Sequence, residues 1–281
     1  MAIDNFIPSV WSARLIKAND KALVFGSVAN RDYEGDISNF GDTVKISELG
    51  DITVATYTKN TTSISPETLT DAQRNLQINQ AKYFAFEVDD VDKAQQKPKV
   101  MDEAMRKAAY ALADQQDQYI ASLHADAGIT SDLGTTTTPI EITSSNVLDY
   151  ISLVGQKMDE SNVPTLDRWM ICPAWFFHKI NLAKIDLQNP NQDHIVNGHI
   201  GRVFGINLFL SNNFVNTTST KYKLIAGVRD SISFAGQLVK IEAYRPEGAF
   251  SDAVKCLALY GAKVVKPDST VCLTANNGTE S

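Results

Sequence analysis

Apolar positions recur along this chain in two rhythms, and each predicts a different kind of element. Between residues 3 and 30 they fall at Phe6, Val10, Trp11, Leu15, Ile16, Leu23, Val24 and Phe25, partly at helical spacing, and Ser12 to Leu15 suits a short helix. Asn30 to Asp36 reads as a polar turn that ends this amphipathic arm. From Thr43 to Val88 the rhythm becomes that of strands. Thr43–Ile46 and Ile52–Tyr57 are β-branched runs flanked by Gly41-Asp42 and Gly50-Asp51, and Leu76, Ile78, Phe84, Phe86 and Val88 share one parity. Between them, Thr58 to Thr70 is rich in Ser and Thr and poor in apolar anchors. This predicts a long two-stranded ribbon with a mobile tip. Such a ribbon is marginal alone and must lie on another surface.

Pro98 opens the clearest helix, predicted over 98–126, because proline is pre-set for a first helical turn. Met101, Met105, Ala108, Leu112, Tyr119 and Leu123 give it an apolar stripe, and Asp102 and Glu103 complement the dipole of its first turn. At about 1.5 Å per residue the rod is roughly 40 Å long. Gly128 stops it. Leu133-Gly-Thr-Thr-Thr-Thr-Pro139 reads as a low-complexity linker and a candidate domain boundary. Ser144-Ser145-Asn146 should cap a helix over about 146–161, Arg168–Pro173 forms a buried strand, and Trp175–Ile185 forms another helix. A polar loop follows at Gln188–Asp193. Strands are expected near 206–210, 222–228, 231–234 and 237–244, with two short β runs between Asp252 and Leu273. No internal repeat is visible.

Length and charge narrow the function. A chain of 281 residues amounts to two domains or one large one. With 43% hydrophobic and 21% charged residues it has an ordinary globular composition, and the net charge of −7 argues against a surface that grips nucleic acid tightly. Three widely spaced cysteines, Cys172, Cys256 and Cys272, form no Cys-x-x-Cys pair, which fits a reducing compartment. The start of the chain lacks the pattern of a signal peptide, and no apolar run approaches the ~18 residues of a membrane span.

Each candidate for chemistry has a simpler reading. Cys172 and His178 could be a nucleophile and its base, but no third group orients them, and a buried thiol suffices. His194 and His199, helped only by Asp193, are too few for a zinc site. Asp89, Asp90 and Asp92 lack the glycine-bearing loop of a hard-cation site. Gly198–Gly205 is a turn with close backbone packing, since it does not match Gly-x-Gly-x-x-Gly. No catalytic constellation, cofactor or metal site is expected. What remains is an arm, a ribbon, a very long helix and a mixed α/β unit, the make-up of an interlocking assembly subunit.

The order of these elements resembles the major capsid proteins of tailed bacteriophages with the Hong Kong 97-type fold, in the coat-protein-like branch without a fused scaffold. The likeness is carried by Ile7–Leu15, Gly41–Ile46 with Asp51–Val54, Ala81–Asp90, Ala108–Asp114, Gly198–Gly205 with Ser211–Asn213, Arg245–Val254 and Tyr260–Val264. It implies an α+β capsid fold with an N-terminal arm at 1–35 and an extended loop at 36–90. A peripheral domain would take 91–134 plus 246–281, with a spine helix about 98–126, and an axial domain would take 135–245. It further implies hexamers and pentamers closing an icosahedral shell around double-stranded DNA. The implied partners are other copies, a separate scaffolding protein, a portal, and in some cases a decoration protein, with assembly in the bacterial host cytoplasm.

On this likeness the intersubunit contacts would include Trp11, Arg14, Lys59, Asn60, Glu67, Arg74, Arg245 and Glu247. Some relatives crosslink covalently through a loop lysine. Lys59 lies near the loop tip, but the accompanying Asn and Glu find no match, so no crosslink is carried over. A carbohydrate- or receptor-binding virion module and a Cys-dependent hydrolase are the alternatives. A β-sandwich binder has no use for the long helix.

Overall fold

The computed structural model describes residues 24–33, 43–49, 54, 56–59, 71–89, 100–183, 199–218, 220–248 and 250–279. Its centre is a seven-stranded sheet. In chain order it takes β4 (Ile140–Ile142), β5 (Trp169–Cys172), β6 (His199–Val203), β7 (Ile206–Leu210), β8 (Asn216–Thr217), β9 (Lys221–Gly227) and, far downstream, β12 (Val271–Asn277). The spatial order is β4-β12-β9-β5-β7-β6, with β8 beside β9. β5 runs parallel to β7 and antiparallel to β9.

All four residues of β5 are buried because both faces of this sheet are covered, and for that reason its sequence is continuously apolar. Met170 and Cys172 face a core shared with Ile151, Val154 and Met158 of helix α3 (Val147–Glu160) and Phe176 and Ile180 of α4 (Ala174–Leu182). Here α1 is the short turn Phe25–Val28 and α2 the long helix Val100–Ser122, continued by a 3-10 turn at Leu123–Asp126. Trp169 and Ile171 face the opposite core, with Phe25, Ile120, Phe234 and Tyr260.

A three-stranded antiparallel sheet carries the other half of α2. It is ordered β10-β11-β3, from β10 (Ile232–Tyr244), β11 (Ser251–Val264) and β3 (Gln80–Asp89). Met105 and Ala109 of α2 pack on Val254 and Cys256, with Phe84, Phe86 and Ile241 alongside. A separate ribbon pairs β1 (Thr43–Leu49) with β2 (Asp71–Gln77), and its root lies on the three-stranded sheet through Ile46, Leu76 and Ile78 against Ala235 and Leu259.

Several expectations need correction. The ribbon is β1 with β2 only: β3 leaves it after Ile78 and Asn79 and joins β11. Val54, Thr56 and Tyr57, expected in a strand, are not in one. The two strands expected at 231–234 and 237–244 are one strand bent at a bulge between Leu238 and Lys240, and the two short runs after Asp252 are a 14-residue strand and a seven-residue one. β4, β6 and the short β8 were not anticipated. Asn146 sits at the α3 N-cap but its side chain turns back, accepting from Thr143 N–H at 2.8 Å and donating to the Glu141 carbonyl at 2.9 Å.

The threonine-rich stretch is not a loose linker. Leu133 is fully buried, its carbonyl accepts from Thr274 N–H at 2.8 Å, and Lys223 Nζ donates to Thr136 Oγ1 at 2.8 Å. Gly134 has φ +77°, and a Cβ there would stand 2.5 Å from the Thr274 carbonyl oxygen. The stretch is pinned along β12.

Candidate assembly surface

Three features project from or brace the body of the molecule: the arm root, the ribbon root and the loops at the sheet ends. The arm root is held on three sides. Phe25 is fully buried and meets Phe214 edge-on at 6.0 Å. Asn30 N–H donates to the Ile232 carbonyl at 2.8 Å, and Phe234 N–H returns a bond to the Asn30 carbonyl at 2.9 Å. The third brace is Asp117 on α2, which is 1% exposed. Its Oδ2 accepts from Val24 N–H at 3.1 Å, and the N–H groups of Phe25 and Gly26 and the Asn213 side chain also bond to the carboxylate. The Val24 bond is the well-aligned one, and the buried Oδ1 has no partner of comparable geometry. Burial raises the Asp117 pKa to about 6 against the opposing pull of these hydrogen bonds. Hydrophobic periodicity could not reveal this contact, because Gln116 and Asp117 lie on the buried face of the helix.

The ribbon root is fixed by close backbone approach. A Cβ on Gly261 of β11 would stand 2.2 Å from the Gln77 carbonyl oxygen, so only glycine lets the ribbon cross here. Tyr119 of α2 donates its hydroxyl to Asn79 Oδ1 at 3.0 Å and packs edge-on against Tyr260 at 5.5 Å.

Of the residues expected at contacts, Lys59 is exposed in a turn, and Arg245 and Glu247 are exposed between β10 and β11. Arg74 lies half-buried on β2, opposite Ile46, with its Nε buried and lacking a hydrogen-bond partner. Trp11, Arg14, Asn60 and Glu67 lie outside the described residues.

The chemical candidates separate. Cys172 is fully buried, and burial pushes its thiol well above its usual value, whereas His178 is exposed on α4. A thiol held neutral in an apolar core is not a nucleophile. Cys256 and Cys272 are also buried and raised by burial, Cys256 to about 11. His199 lies on β6, and Asp89 ends β3; His194, Asp193, Asp90 and Asp92 lie outside the described residues. Among the described residues no three His, Cys, Asp or Glu side chains converge as metal ligands. No helix among them is long and apolar enough to cross a membrane.

A ribbon and a long helix bracing two sheets make up an α+β fold of the Hong Kong 97-like capsid type. A family model described as phage capsid protein matches residues 74–273, and the chain belongs to that family. A solved chain from Mycobacterium phage Che8 is similar at 26% identity, with a TM-score of 0.72 over 89% of this chain and 90% of that one. The capsid of the cyanophage P-SCSP1u is similar in fold at 17% identity, with a TM-score of 0.70 over 92% and 89%. A virus-like particle from Pyrococcus furiosus shares the fold at 10% identity, with a TM-score of 0.59 over 96% and 100%. No curated protein matches. The chain is a structural protein of the virion, a major capsid protein that self-associates into the icosahedral head shell.

Proposed function

We propose that the chain closes this shell as hexamers and pentamers around double-stranded DNA, assembled on a separate scaffolding protein with a portal at one vertex, in the host cytoplasm. In this reading it catalyses nothing, and the net charge of −7 suits a container that confines DNA without gripping it. A decoration protein is a further proposed partner.

The observation that carries the reading is the ribbon. β1 and β2 pair only with each other among the described residues, and their root is packed on the body. A two-stranded element of this kind finds its remaining contacts on another copy. We assign 1–35 to an arm, 36–90 to the extended loop, 91–134 plus 246–281 to a peripheral domain and 135–245 to an axial domain. Strand pairing supports two exchanges in that division. β10 sides with the peripheral sheet through β11, and β12 sides with the axial sheet through β9.

Electron microscopy of the purified protein, alone and coexpressed with its scaffold, tests the proposal. Uniform closed shells built of hexamers and pentamers are expected. Disordered aggregates or single subunits under both conditions would refute it.

A further inference from the structure

The β6–β7 hairpin closes through Phe204 and Gly205, whose φ angles are +48° and +82°. Two successive positive φ values make a type I′ turn, whose first central position suits Asn or Asp. A bulky side chain there is strained by its own Cβ. Burial of the ring does not offset that strain, because Phe204 is 60% exposed.

The turn emerges at a defined end of the central sheet. Trp169 of β5 is in register with Asn207 of β7, and Asn207 N–H donates to the Arg168 carbonyl at 2.8 Å. The loop joining α3 to β5 arrives at that same end. It displays Leu166, 76% exposed, and carries two more non-glycine residues with positive φ, Asn162 and Asp167. Buried Arg168 holds this loop. Its guanidinium donates to the Val163 carbonyl at 2.6 Å, the Pro164 carbonyl at 2.8 Å and Asp159 Oδ1 at 2.7 Å. Two apolar side chains are therefore presented on backbone that is already set before any partner arrives, which lowers the ordering penalty of contact. Arg202, exposed on β6, stands beside the turn, its guanidinium 3.9 Å from where a Gly205 Cβ would be.

We propose that the hairpin tip 203–205 and the loop 161–167 form one contact surface for a second copy of this chain, with Phe204 and Leu166 as its apolar anchors. The occupant follows from self-association and from charge. The surface carries both signs of charge, Arg202 beside the turn and exposed Asp167 in the loop, so one copy can meet another with opposite charges around the anchors. The proposal rests on the shell-forming reading above.

Phe204→Asn is the decisive variant because it places a preferred residue in the type I′ turn. The unassembled subunit should melt at the same or a higher temperature than the wild type. Shell yield, read by sedimentation and negative-stain microscopy under conditions where the wild type assembles, should fall by roughly tenfold or more. Leu166→Ser should lower the yield in the same way without lowering the melting temperature. Wild-type yield from both variants would overturn the proposal. So would a loss of yield that tracks a loss of subunit melting, since the side chains would then serve the subunit's own fold. A wild-type protein that forms no shells with its scaffold would instead overturn the shell reading, and this surface with it.

Discussion

Replacing Asp117 by Asn tests whether the arm root is braced by a carboxylate buried at a penalty. Asp117 titrates at about 6 when folded, against an ordinary value of 3.8, with burial as the main cause. The folded state thus holds the proton more tightly than the unfolded chain. The resulting stability is fully present below pH 3.8 and is lost as pH rises through about 6. The gap corresponds to about 3 kcal/mol in total, most of which falls between pH 4 and pH 8. Asn cannot ionise. The stability of Asp117→Asn relative to wild type should therefore increase by about 2–3 kcal/mol from pH 4 to pH 8, whatever constant penalty the amide itself brings. Chemical denaturation of the unassembled subunit at a series of pH values reads this difference, and the other carboxylates cancel because both proteins share them. A difference that stays flat with pH, or one that shrinks as pH rises, would refute the reasoning.

Three further outcomes are expected. Gly261→Ala must push the Gln77 carbonyl away by about 1 Å, destabilising the subunit by about 1–3 kcal/mol and impairing assembly; unchanged denaturation would show that the ribbon does not cross where described. Native subunits should react with a thiol reagent far more slowly than unfolded ones, since Cys172, Cys256 and Cys272 are all buried, and Cys172→Ala should leave shell formation intact; loss of shells from a well-folded variant would reopen a role for the thiol. Deleting residues 59–70 should leave subunit melting unchanged and abolish normal particles, and normal particles from that deletion would count against the ribbon's role in assembly.

The local elements were legible where one physical signal dominated. α2 was expected over 98–126 and is helical over Val100–Asp126 apart from its final 3-10 turn, because a long segment free of Gly and Pro has little alternative. α3 and β5 likewise fall within about a residue of expectation. The buried face of α2 was only half legible. The expected stripe ran through Ala108 and Tyr119, whereas the buried positions are Met105, Ala109, Leu112, Ala113, Gln116, Asp117, Ile120 and Ala121. The helix leaves the three-stranded sheet halfway along and meets the arm root, where a polar residue does the bracing. An apolar pattern is blind to such a residue.

Partner choice is what the sequence withheld. Leu76 and Ile78 share a parity with Phe84 and Phe86, so alternation runs unbroken through Asn79 although the chain changes sheets there. Period two states that a face is buried, never against what. Nor could sequence order show that β12 returns to the central sheet beside β9, since strand pairing depends on where distant segments meet. The amino-acid sequence by itself determined the ribbon's existence, the long helix and the absence of any familiar catalytic motif. These rest on local propensity and composition. Tertiary structure alone decided the brace at Asp117, the crossing at Gly261 and the strained tip at Phe204, because each arises from the close approach of segments far apart in the chain or from a backbone conformation its residue does not favour.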